Sequence, residues 1–227
     1  MATSGTSSFN LDLADIVEEA FQRAGSELRS GYDMRTARVS LNLMFSEWAN
    51  RGINLWTIDQ GSIPLVSGTA TYTLPADTVD IFEHAVRSNA GVVAAQLDSV
   101  ITRISAPVYA AIPNKLTKGQ PLQIWVQRLA TPQLTVWPVP DAATYTLVYW
   151  RLRRIQDATD GTNTMDLPFR FLPAVVAGLA WHLSLKVPNG LERLGLLKQQ
   201  YDEAFASAAA EDRERAPMRL APGRAYG

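Results

Sequence analysis

Hydrophobic positions along the chain change period twice. From Leu11 to Arg23 or just beyond, Leu13, Ile16, Val17, Ala20, Phe21 and Ala24 recur at three- and four-residue steps, which places them on one helical face. Asn10 or Asp12 is suited to cap the start, and Gly25 weakens the end. A second helix is predicted from about Asp33 to Asn50, with Ala37, Leu41, Met44, Phe45 and Trp48 as its apolar line. Gly52 then stands where a left-handed C-terminal residue belongs. The two helices read as an antiparallel pair.

Beyond Gly52 the pattern becomes extended. "INLWTIDQGSIPLVSGTATYTLP" is rich in β-branched and aromatic residues, with turn signals at Gly61 and at Ser67-Gly68. "TVDIFEHAVRS" reads as another strand. Between Ala94 and Pro113 short helical and extended signals mix, broken by Pro107 and Pro113. "PLQIWVQRLATPQLTVWPVP" and "ATYTLVYWRLRRI" return to strand character, with turns at "ATPQ" and "PVPDAA". In the last strand Leu147, Tyr149, Arg151 and Arg153 share one face, and Val148, Trp150 and Leu152 the other. Arg151, Arg153 and Arg154 read as an exposed strand edge, where like charges discourage unwanted pairing.

The helical period returns near Pro168, with Pro173 tolerated in the first turn. Leu172, Val176, Leu179 and Leu183 form the third stripe. Leu194, Leu197, Tyr201, Phe205 and Ala208 form a fourth, on a helix expected to end near Arg215. The fold class is therefore α+β: a helical bundle formed by the N- and C-terminal helix pairs, with an inserted antiparallel β-rich module. The expected boundaries are 1–52 and 165–216 for the bundle, 53–164 for the β-rich module, and 217–227 for an extended C-terminal tail.

Composition narrows the function classes. Of 227 residues 47% are hydrophobic and 19% charged, enough for a real core. The net charge of −1 lacks the basic excess of a nucleic-acid-binding protein. There are no cysteines, so disulfides and thiolate metal sites are excluded. No apolar run is long enough to suggest a membrane span, and "MATSGTSSFN" reads as a flexible arm, not a signal peptide.

Candidate chemistry is sparse. The chain carries no P-loop, GxGxxG, GxSxG or HExxH pattern. His84 and His182 read as structural. Glu18 with Glu19, Asp202 with Glu203, and Glu211 with Asp212 read as solvated helix surface, because adjacent helical positions do not face each other. Trp125, Trp137 and Trp150 are assigned to packing or subunit contact. An aromatic platform for bases or sugars is the competing use. No catalytic, cofactor-binding or metal-binding residue is assigned, and no enzymatic activity is expected.

The order of segments resembles a known family. "ARVSLNLMFSEWANRGINLWTI", "IPNKLTKGQPLQIWVQR", "LTVWPVPDAATYTLVYWRLRRIQD", "LPFRFLPAVVAGLAWHLSLKVP" and "LLKQQYDEAFASAAAEDRERA" follow one another as in the head-to-tail adaptors of short-tailed bacteriophages, the group that includes tail tubular protein A. The resemblance runs from about Leu11 to Pro217. It implies a structural virion protein at the head–tail junction, assembled in the bacterial cytoplasm as a homo-oligomeric, typically dodecameric ring. Such a ring binds the portal protein above and a distal tail or nozzle protein below. DNA passes through its channel without sequence-specific binding, and near-neutral charge suits such a conduit, since a lumen dense in cations would hold phosphates. The resemblance also assigns the C-terminal segment to the portal. Arg213, Arg215, Arg219, Leu220 and Arg224 then become the expected portal or subunit interface. Alone, the tail after Pro217 buries too little surface to offset an ordering cost of ~1–2 kcal/mol per residue, so its partner is expected on another molecule. A cell-wall-degrading virion enzyme and a carbohydrate-binding module are the alternatives from other classes.

Overall fold

The computed structural model describes residues 5, 11–51, 55–158, 164–188 and 190–212. These fall into two units, Met1–Glu47 with Asp157–Gly227, and Trp48–Gln156.

In the first unit, helix α1 spans Leu13–Ala24 and buries Leu13, Ile16, Val17, Ala20, Phe21 and Ala24, the full stripe read from the sequence. Asp12, not Asn10, caps it. The Asp12 side chain accepts from Asp15 N–H at 2.9 Å, and the Asp15 carboxylate accepts from Asp12 N–H at 3.3 Å. At the other end Gly25 is left-handed, with its N–H on Gln22 O and Ser26 N–H on Phe21 O, a Schellman ending. Helix α2 spans Gly31–Trp48 and starts earlier than its apolar pattern suggests. Ser30 and Asp33 exchange capping bonds there, Asp33 N–H to Ser30 Oγ and Ser30 N–H to Asp33 Oδ2. Ala37, Leu41, Met44, Phe45 and Trp48 are all buried. Gly52, the expected end signal, lies outside the described residues.

A short 3-10 turn, Phe169–Phe171, leads into the third long helix, Leu172–Ser184. Its burial differs from the one-sided stripe expected. Ala174, Val175, Val176, Ala177, Gly178, Leu179 and Ala180 are consecutive and all buried. The physical reason lies in the sequence "LPAVVAGLA", which offers no polar face to water. The final long helix spans Leu194–Glu211 and buries Leu197, Tyr201 and Ala208. The third helix packs on both α1 and this final helix. Just beyond its end, Lys186 Nζ donates to Ser40 Oγ of α2 at 2.7 Å. The expected helix end at Arg215 lies outside the described residues.

The second unit is two four-stranded sheets sharing a core. The strands are β1 (Ile58–Pro64), β2 (Thr71–Thr73), β3 (Thr78–Ser88), β4 (Leu97–Val100), β5 (Thr102–Arg103), β6 (Gln123–Gln127), β7 (Gln133–Trp137) and β8 (Tyr145–Arg153). One sheet has the order β1-β8-β3-β4 and the other β2-β7-β6-β5. Pairing is antiparallel except between β5 and β6, which pair in parallel over two residues. Ile81 and Val86 of β3 and Leu147 and Tyr149 of β8 meet Ile124 of β6 and Leu134 and Val136 of β7 in one cluster. The segment 94–113, where sequence signals conflict, holds β4, β5 and a five-residue helix α3, Ala106–Ala110. The two further helices of the first unit are named α4 (Leu172–Ser184) and α5 (Leu194–Glu211) from here on.

Gly61 is not a turn residue. It sits inside β1 opposite Tyr149, where an added Cβ would lie 2.5 Å from the tyrosine ring. Nor is β8 an edge. It is hydrogen-bonded on both sides, to β1 and β3, and Leu147, Val148 and Tyr149 are buried in succession.

Candidate interaction surface

Arg213, Arg215, Arg219, Leu220 and Arg224 lie outside the described residues. The structure does describe the point from which their segment departs. Asp212 closes α5 and is buried, with its carboxylate paired to the Arg170 guanidinium. This corrects the reading of Asp212 as solvated surface. The reason is long-range: Arg170 comes from the turn before α4, and no helical spacing links residue 170 to residue 212. Phe171 meets Phe205 edge-on at 6.3 Å, so the last turns of α5 and the start of α4 are packed as one piece.

Beside that piece, α1 and α4 enclose an open groove of about 590 Å³. Leu11, Leu172, Pro173 and Val176 give it apolar surface, while Asp15, Glu18 and Glu19 give it carboxylates. Glu19 is paired with Arg23 at 2.7 Å. Glu18 accepts only a long bond from Gln22 at 3.4 Å, and Asp15 serves the α1 cap. Neither Asp15 nor Glu18 forms an ion pair with a described residue. Sequence reading treats Glu18 as solvated, which it is. Apart from Leu11, the apolar neighbours that turn it into part of a groove come from α4 and carry no signal in the local sequence.

Arg151 and Arg153, expected to be exposed, are only 12% and 14% exposed at their side chains. Arg151 donates to Asp77, to Thr78 Oγ1 at 3.0 Å and to Asp59 at 3.4 Å, and Arg153 reaches Asp59 at 3.1 Å. The Arg151 hydrogen bond, reinforced by its charge, holds the Asp77 carboxyl below the usual carboxylate range against the opposing effect of burial. Partners on β1 and on the turn before β3 therefore absorb the charges read as edge protection.

The tryptophans divide by environment. Trp125 stacks on Tyr109 at 4.8 Å between ring centroids, with Lys115 Nζ 5.6 Å from the tyrosine ring centre. Trp137 Nε1–H donates to Asn114 O at 3.1 Å, whereas Trp150 is exposed. His84, in β3, has its pKa lowered by burial and then by the Arg103 charge; the Ile101 backbone and Glu83 act the other way. Neither ring nitrogen makes a hydrogen bond of normal geometry. His182 lies against the Trp181 ring at 4.7 Å. Among the described residues no group of His, Asp and Glu is arranged to hold a metal ion, and no described helix is long and apolar enough to cross a membrane.

Apolar side chains also reach the surface in lines. Tyr32, Val39 and Leu43 are exposed on the face of α2 opposite its buried stripe, spaced at seven and four residues. In the other unit Val92 and Val93 are exposed between β3 and β4, on a hairpin braced by a two-bond pair of Arg87 with Asp98 at 2.7 Å.

A search of curated proteins finds no matching sequence. The model of the SU10 adaptor protein family matches residues 11–224, through both units and into the arginine-bearing tail. The chain thus belongs to the SU10 adaptor protein family and is a structural adaptor of a bacteriophage virion.

Proposed function

We propose that this adaptor forms a dodecameric ring at the head–tail junction, joining the portal to the tail and continuing the DNA channel, as tail tubular protein A-like adaptors do. In this reading α1, α2, α4 and α5 form the ring as a bundle of N- and C-terminal helix pairs, spanning 1–52 and 165–216. The β-rich module, 53–164, faces outward or toward the distal tail protein. The tail, 217–227, reaches the portal through Arg213, Arg215, Arg219, Leu220 and Arg224.

The observation that carries the reading is the extent of the family match, from Leu11 to Arg224. It includes the tail, whose few apolar residues give it little reason to fold alone. The exposed line of Tyr32, Val39 and Leu43 on α2 supports oligomerisation, since contiguous exposed apolar surface marks interaction sites. Nothing observed favours a wall-degrading enzyme or a glycan-binding module.

The test is co-sedimentation of the intact protein and a form lacking Pro217 to Gly227 with purified portal rings, followed by electron microscopy. Intact protein should decorate the portal as a ring and the truncated form should bind several-fold more weakly. Repetition around a ring multiplies a weak contact, so loss of the tail is expected to be conspicuous. Full binding by the truncated form overturns the assignment of the tail. Absence of rings on a saturated portal overturns the ring.

A further inference from the structure

We propose that the groove between α1 and α4 is a dock for the chain's own basic tail, residues 213–227, which it holds before assembly. Three observations converge on this occupant. The first is place. The described chain stops at Asp212, whose carboxylate is paired to Arg170, and Arg170 stands two and three residues before Leu172 and Pro173, both of which line the groove. The tail therefore departs beside the groove mouth, and residues 213–227 can span up to roughly 50 Å when extended.

The second is charge. The tail carries Arg213, Arg215, Arg219 and Arg224 against Glu214 alone, while the described residues lining the groove present Asp15, Glu18 and Glu19 against Arg23. Glu19 already holds Arg23, which leaves Asp15 and Glu18 to receive a guanidinium. Arginine suits this, because its planar fork can bond a carboxylate in pairs. The third is apolar fit. Met218, Leu220 and Tyr226 are the tail's larger apolar groups, and Leu11, Leu172, Pro173 and Val176 give them a surface to cover.

Docking in cis would keep the tail from engaging other molecules until a better-matched acidic surface competes for it. The inference goes beyond the portal reading, because it concerns where the tail rests and holds whichever virion component the tail later meets.

The chain has no cysteine, so an introduced pair reports cleanly. Gln22→Cys combined with Leu220→Cys, and separately with Ala216→Cys, should form an intramolecular disulfide in dilute full-length protein, seen as faster migration on a non-reducing gel. A covalent dimer instead would assign the groove to the tail of a second copy and overturn the proposal. Failure of both pairs to link would overturn the groove altogether. An independent readout is tryptic cleavage after Arg215 and Arg219 in the protein without added cysteines. Glu18→Lys, an exposed change on α1, should make cleavage several-fold faster, and high salt should do the same to the natural chain. Equal rates for the natural protein and Glu18→Lys would sink the proposal. Portal co-sedimentation of Glu18→Lys separates the two ideas. Unimpaired portal binding with a released tail retains both, whereas unchanged tail cleavage with normal portal binding removes only the docking.

Discussion

Gly178 shows how one missing side chain organises the helical unit. A Cβ there would lie 2.5 Å from Met44 Sδ and 2.8 Å from the Tyr201 ring, so α2 and α5 both close on this point of α4. Gly178→Ala gains ~1 kcal/mol of helix propensity, but overpacking a filled core costs ~1–3 kcal/mol. Tyr201 is fully buried, so the ring has little room to retreat. The expected outcome is a net loss of stability of up to about 2 kcal/mol by denaturant titration; a more stable variant would show that the helices are not in close contact there. His84 gives a second prediction at this scale. Its folded-state pKa is lowered, with burial as the main cause. Above the ordinary imidazole value of ~6.5 the ring is neutral in both states. Below it the unfolded chain takes up a proton that the folded chain resists, so stability falls as pH drops from there toward the lowered folded value. Melting temperatures at pH 7.5 and 5.5 should therefore diverge more for the natural protein than for His84→Gln, with His182 common to both.

At the scale of elements, strand β8 is where sequence and structure part most usefully. Alternation assigned Leu147, Tyr149, Arg151 and Arg153 to one face, and Leu147 and Tyr149 do enter the module core. What alternation could not reveal is the neighbour on each side, since β1 lies about ninety residues away in the chain and supplies Asp59 to Arg151 and Arg153. The same limit applies to Asp212 and to the parallel β5–β6 pairing. By contrast the buried stripe of α1 and its end at Gly25 are legible in the sequence, and its cap is narrowed to Asn10 or Asp12, because a helix end is specified by residues within four positions. The span of β3 also matches its reading, although Asp80, Glu83 and Ala85 interrupt its strand-forming residues. For the interaction surface less was readable: Glu18 was visible as a surface charge, but the floor supplied by Leu172 and Val176 was not. The Arg151 cluster carries its own prediction. Asp77 and Asp59 are 44% and 42% exposed, so water partly replaces a lost guanidinium. Arg151→Gln should cost about 1–2 kcal/mol, less than breaking a fully buried pair. The lowered Asp77 pKa contributes stability that is fully present above the unfolded value of ~3.9. That contribution disappears as pH falls through the folded value. Acid unfolding curves of Arg151→Gln should accordingly be shallower below about pH 4; superimposable slopes would contradict the assigned pair.

For the whole molecule, the decisive geometry is the way the β unit is spliced into the chain. Its first strand and its last are partners, with Ile58 opposite Leu152 at the ends nearest the connections. The chain thus enters and leaves the unit at neighbouring points, the arrangement under which insertions are tolerated. The unit also owns a core, from Leu65 to Tyr149, drawn from both of its sheets. Residues 55–156 expressed alone should give a cooperative melting transition and dispersed amide signals in NMR spectra. A collapsed, non-cooperative product would mean that the helices are needed to complete its core.

The β1–β8 splice also has a mechanical meaning. Antiparallel hydrogen bonds run perpendicular to their strands. Tension that draws the two connecting segments apart would meet the bond pair at Ile58 and Leu152 first, then each later pair in turn, up to Pro64 and Thr146. Such a ladder opens like a zipper, one rung at a time, and resists far less than a ladder sheared along its length. In single-molecule stretching by those two segments, the β unit should yield at low force and lengthen early, acting as a weak link that gives way before the sheets' interior is loaded.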